Sequence, residues 1–118
     1  MKIDILGTQY QICRSDYKED SYFAKKSASG FCDSQLKIMG LCNMKTYPGF
    51  EDESPEFCAA YEREVLRHEI VHAFFAESGL DDNANNIDGA WPLNEEMIDW
   101  IALQGPKLYA AWQAAGAL

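Results

Sequence analysis

A chain of 118 residues has room for one domain, and at this length folding removes roughly two-thirds of the surface the unfolded chain exposes. An apolar content of 47% with 13% aromatic residues excludes a disordered chain, and no linker or repeat divides it. With 19 acidic against 10 basic residues, the formal charge of −9 would be repelled by phosphate backbones, so direct nucleic-acid binding is not expected.

No apolar run approaches the roughly 20 residues of a spanning helix, and Asp4 interrupts the stretch where a secretory segment needs continuous apolar residues. A cytoplasmic location without membrane contact is the expectation. Cys13, Cys32, Cys42 and Cys58 contain no C-x-x-C and come with no export signal, so they read as reduced, mostly buried thiols. The competing reading pairs Cys32 with Cys42, as a disulfide or in a cysteine zinc site.

From the start of the chain, residues 3–13 alternate loosely between apolar and polar and read as a strand or as two halves of a hairpin. Arg14 to Ser29 is a polar loop with one helical turn expected around Ser21 to Lys26. After Gly30, two short strands or one bent pair are expected: Gly30-Phe31-Cys32-Asp33, then Gln35 to Leu41 with Leu36, Ile38 and Gly40 on one face. Together these segments predict a small antiparallel sheet of about three strands. One of its edges is available to pair with an extended substrate.

Residues 43–54 form a connection, and Ser54-Pro55 is a helix start, with a capping hydroxyl, proline at the first helical position and Glu56 in the first turn. The helix is expected to run from about 55 to 78 and stop at Gly79. Tyr61, Val65, His68, His72 and Phe75 fall on one stripe, Leu66, Ile70 and Phe74 on another, and Arg63 and Arg67 share a wetter side with Glu64. So wide an apolar surface makes this helix central.

That helix carries His68-Glu69-Ile70-Val71-His72, an H-E-x-x-H motif built from the only two histidines in the chain. Residues four apart lie one above the other on a helix, so both imidazoles can converge on one ion. A neutral imidazole pair suits Zn²⁺, which takes nitrogen ligands at about 2.0 to 2.1 Å and, in catalytic sites, keeps a position for water. Glu69, one position round, is placed to take that water's proton, which is the metalloprotease reading of the motif.

Residues 80–92 are rich in Asp and Asn and read as a loop between helices, or as a calcium loop lacking the EF-hand ligand order. A further helix begins at Asn94 as N-cap, alone or also touching the ring of His72, and brings Glu95 and Asp99 to one face. Two imidazoles need a third ligand, and a carboxylate completes such a site when no third histidine exists. Glu95 is chosen, with Asp99 accepting the outer N–H of a ligating histidine. Glu96 is its rival but lies about 100° round the helix and has no carboxylate four residues on. Gly105-Pro106 is expected to break or kink this helix, and a last stretch from Lys107 to about Ala115 presents Leu108, Tyr109 and Trp112 as an apolar stripe.

H-E-x-x-H followed by N-E-x-x-x-D, matched at His68, Glu69, His72, Asn94, Glu95 and Asp99, resembles the gluzincins, the thermolysin-like zinc metallopeptidases. Gly30 to Asp33, Glu77-Ser78-Gly79-Leu80 and Asp99 to Gln104 look like small zincin-like proteins of bacteriophages and prophages, over nearly the full length. The resemblance implies an α+β, minimal zincin-like fold: the small sheet on a central H-E-x-x-H helix, and a C-terminal helix carrying the third ligand. It implies His68, His72 and Glu95 on zinc, Glu69 as general base, and Asn94 and Asp99 supporting the ligands. For an oxyanion, thermolysin-like enzymes add a later histidine and a tyrosine. No histidine remains here, leaving Tyr61, on the zinc face, with Tyr47 and Tyr109 as further candidates.

Three readings follow. The first is a zinc-dependent endopeptidase with an open cleft, acting on a protein or peptide of the cytoplasm, that of the host cell if the chain is phage-encoded. The second is a non-catalytic protein in which zinc staples a small domain used for protein contacts. The third, an interaction module with an accidental motif, predicts no stoichiometric metal.

Overall fold

A computed structural model describes residues 1–81 and 94–114. Of the acidic loop read over 80–92, residues 82–92 lie outside the described residues, as do the side chains of Leu108 and Trp112. Within them the chain is α+β, with four strands in one mixed sheet, three α-helices and a short 3₁₀ turn.

The strands are β1 (Lys2–Ile5), β2 (Thr8–Ser15), β3 (Gly30–Asp33) and β4 (Ile38–Cys42), in spatial order β1-β2-β4-β3. Leu6 and Gly7, with φ of 52° and 91°, make the two-residue turn that closes the β1–β2 hairpin, where Ile5 opposes Thr8. Residues 3–13 are thus two strands, and β3 and β4 form a second antiparallel pair. The expected antiparallel, three-stranded sheet is corrected at the centre: β2 and β4 run parallel, from Gln11↔Ile38 to Ser15↔Cys42. The hairpin places β3 on the outside of β4, so β4 returns beside β2 in the same direction. Its last four residues, Met39 to Cys42, are all buried, the near-continuous apolar run of an interior strand. Leu36, read as part of that strand, lies exposed in the β3–β4 turn.

The crossover from β2 to β3 contains α1 (Ser21–Lys26), capped by the Asp20 side chain and closed by Ser27 at φ 48°. The 3₁₀ turn Met44–Thr46 leads to α2 (Pro55–Glu77), whose start is as expected: the Ser54 hydroxyl accepts from Phe57 N at 3.1 Å, with Pro55 in the first turn. Its end is as expected too, with Gly79 at φ 80°. Val65, Leu66, Ile70 and Ala73 of α2 pack on Ile5, Tyr10, Ile12, Met39 and Leu41 of the sheet. A second cluster joins Phe23, Cys42, Met44 and Cys58, with Phe31, Phe50 and Tyr61 against it. Phe74, placed on an apolar sector by the sequence, is exposed.

Polar contacts fix both ends of α2. Near its start Glu62 accepts from Arg14 at 2.8 and 2.9 Å and from Met44 N at 2.9 Å. At its end Glu77 accepts from Thr8 Oγ1 at 2.9 Å, Tyr10 Oη at 2.7 Å and Lys37 Nζ at 2.5 Å. Those hydrogen bonds, Lys37's first, hold the Glu77 carboxyl down at about 2.

The third helix, α3 (Glu95–Ala114), packs on α2 through the buried Ile98 and Ala102. It runs on through Pro106, so of the expected break or kink the break is corrected. Proline deprives the carbonyl four residues earlier of its helical partner. That carbonyl is Ala102 O, and Arg67 Nε of α2 donates to it at 2.6 Å. Arg67 is therefore not on a wet face with Glu64; it ties α3 to α2. No described helix is long and apolar enough to cross a membrane.

Candidate metal centre

His68 and His72 stand one turn apart on α2, their ring centroids 4.8 Å apart and their Nε2 atoms 3.0 Å apart. Because α3 crosses this face of α2, Glu95 enters from opposite. Its Oε2 lies 3.2 Å from His68 Nε2 and its Oε1 3.4 Å from His72 Nε2. Four residues on, one turn along α3, Asp99 Oδ1 meets His68 Nδ1 at 2.5 Å. Asn94 caps α3 by accepting from Met97 N at 3.2 Å, and it has no hydrogen bond to either imidazole among the described residues. It serves as the cap alone.

The donor set can be tested against a tetrahedral ion. Ligand atoms about 2.0 to 2.1 Å from one centre lie roughly 3.3 Å from each other, and the three separations here are 3.0, 3.2 and 3.4 Å. A carboxylate only accepts, so the hydrogen between His68 and Asp99 sits on Nδ1, and a neutral His68 ring turns the Nε2 lone pair toward His72 and Glu95. One hydrogen on His72 Nε2 can satisfy only one of the facing acceptors. A cation at their centre relieves the rest, so the residues fit a metal.

Ligand atoms of His68, Glu69 and His72 all lie within 4.8 Å of one another. Glu69 is 6% exposed, and burial pushes its carboxyl up to about 7, with His68 opposing and Glu95 and Asp99 adding to the rise. Burial also holds His72 below the usual histidine range, against the pull of Glu95. His72 is thus kept as the neutral imidazole that a metal requires. Glu95 and Asp99 are more open, their side chains 64% and 59% exposed.

Glu69 has its place because β3 has no side chain at Gly30: a Cβ there would stand 2.5 Å from Val65 Cγ1 and 3.2 Å from Glu69 Oε1. Tyr61 lines the recess on the His68 side, with Phe57 stacked on its ring and Phe50 edge-on to it. Tyr47 belongs to the aromatic cluster with Tyr17 and Phe50, and Tyr109 is exposed on α3; neither lines the recesses beside the imidazoles. Glu96 lines a separate hollow with Met97 and Trp100. All four cysteines are free, and Cys32, beside the site, has its thiol pushed up to about 12, by burial first and Glu69 next.

Three residues at the site were placed elsewhere by the sequence: Gly30, read only as the start of a strand, Glu64, read on the wetter side of α2, and Asp81, read in the acidic loop and lining the recess beside His72. Glu64 had a signal, lying four residues before His68 and so on the same face. Gly30 had none, since its role depends on how closely β3 approaches α2. The chain matches no protein-family model, no curated protein and no solved structure.

Proposed function

We propose that the chain is a zinc-dependent metallopeptidase of minimal, zincin-like architecture acting on a protein or peptide. The observation that carries this reading is the convergence of His68 Nε2, His72 Nε2 and the Glu95 carboxylate at 3.0 to 3.4 Å beside the buried Glu69. Those three residues would hold the zinc. When bound, the ion supplies a Lewis acid that polarises a carbonyl and lowers the pKa of water to about 7.

The chain's own residues account for the rest. Glu69, buried beside the two imidazoles, would accept a proton from the attacking water and return it to the leaving amine. Asp99 keeps the His68 proton on Nδ1 and so keeps Nε2 free as a ligand. β3 is an edge strand beside α2, and Gly30 to Cys32 border the site, so an extended peptide can add to the sheet with its carbonyl brought to Glu69.

Elemental analysis of protein purified without added metal tests the centre. Wild type should carry about one zinc per chain and Glu95→Ala much less. In a peptide-library digest, wild type should cleave and Glu69→Gln should not, while keeping its zinc. A wild type that neither carries nor takes up zinc would overturn the reading. Zinc without cleavage of any peptide would assign the centre to holding α2 and α3 together.

A further inference from the structure

Two recesses flank the imidazoles. The first, about 370 Å³, opens between the turn Ser27–Gly30, α2 and α3, and is lined by the apolar Val65, Ala102 and Leu103 together with Tyr61 and the acidic Glu64, Glu69 and Asp99. The second, about 360 Å³, is lined on its charged side by Glu69, Asp81 and Glu95. Among the described residues, neither has a lysine or arginine in its lining. A site that took acidic or phosphorylated segments would need the opposite sign of charge.

Glu64 is half-buried, one turn before His68, and makes no hydrogen bond or ion pair among the described residues. The arginine nearest to it on the helix face, Arg67, donates instead to Ala102 O. Glu69, more than nine-tenths buried, borders the same recess and has no hydrogen-bond donor among the described residues either. Carboxylates that border a recess without protein donors are left to bond a ligand that brings donors and the opposite charge. The apolar lining suits a methylene stem ending in a charge.

We propose that this first recess receives a lysine or arginine side chain of the substrate, its stem along Val65, Ala102 and Leu103 and its cation at Glu64, so that the chain acts on basic polypeptides. Cleavage of such a polypeptide rests on the peptidase reading. Binding of the basic side chain does not.

The test measures binding and hydrolysis separately. Zinc-loaded Glu69→Gln protein is titrated, by fluorescence anisotropy, against labelled extended peptides identical except for a central Lys, Leu or Glu. The Lys peptide should bind about 10-fold tighter than the Glu peptide, with the gap shrinking as salt is raised. Adding Glu64→Gln should bring the three peptides within about 2-fold of each other, whereas adding Glu53→Gln, which removes an exposed charge elsewhere, should leave the gap. Equal binding of the three peptides, or the same loss with Glu53→Gln, would overturn the recess. Wild-type hydrolysis of the same peptides is followed by mass spectrometry. A lysine preference in binding with no cleavage defeats the peptidase reading alone; cleavage without any lysine preference defeats the recess alone.

Discussion

At His68 the ring is held from two sides: α2 fixes its backbone, and Asp99 Oδ1 accepts from Nδ1 at 2.5 Å. The contact sets the tautomer, and partners of this kind are worth about 10- to 100-fold in metal affinity. Asp99→Asn keeps an accepting oxygen but not the charge, so it should weaken zinc by about 10-fold, and Asp99→Ala by about 100-fold. Competition with a chromophoric chelator measures both, and unchanged affinity in Asp99→Ala would remove Asp99 from the centre. The placement of His68, His72, Glu95 and Asp99 was legible because each pair is set by the four-residue helical repeat. Convergence of the two pairs is not set by that repeat, since it depends on how α3 crosses α2; it was expected from the need for a third ligand and from the resemblance of the two motifs.

At the scale of elements, α2 was legible from end to end, because its start and stop are local chemistry at Ser54, Pro55 and Gly79. The break expected at Pro106 is absent for a reason that lies on another helix. The carbonyl Ala102 O, orphaned by the proline, is satisfied by Arg67, thirty-five positions earlier in the chain. Arg67→Met should then cost about 1 to 3 kcal/mol, the penalty of a buried acceptor left without a donor. In a Pro106→Ala background a backbone N–H is restored to Ala102 O, and the same Arg67→Met change should cost much less. Urea unfolding of the four proteins measures the coupling. Equal costs in the two backgrounds would mean that Arg67 acts through its stem alone.

Across the whole molecule, the sheet and the site differ in what holds them. The parallel pairing of β2 with β4 was not readable from alternation, because it joins strands separated by α1 and β3 and is selected by burial of Met39 to Cys42. Once formed, the sheet is fastened to α2 by an apolar core and by the hydrogen bonds of Glu62 and Glu77. α3 is fastened mainly to α2, through Ile98, Ala102, Arg67 and the Glu95 and Asp99 contacts with the imidazoles. A zinc held by His68, His72 and Glu95 would therefore cross-link the two helices, stabilising their docked state by about 2.7 kcal/mol when free zinc is 100 times its Kd. Chelation should loosen α3 before the sheet. Amide hydrogen exchange in the described part of α3 up to Gln104 should speed up on adding EDTA, while β2 and β4 keep their protection. In Glu95→Ala the same α3 amides should already exchange fast and respond little to EDTA. A uniform loss of protection over sheet and helices would place the metal's contribution in the global fold, and no change anywhere would mean that no metal joins α2 to α3.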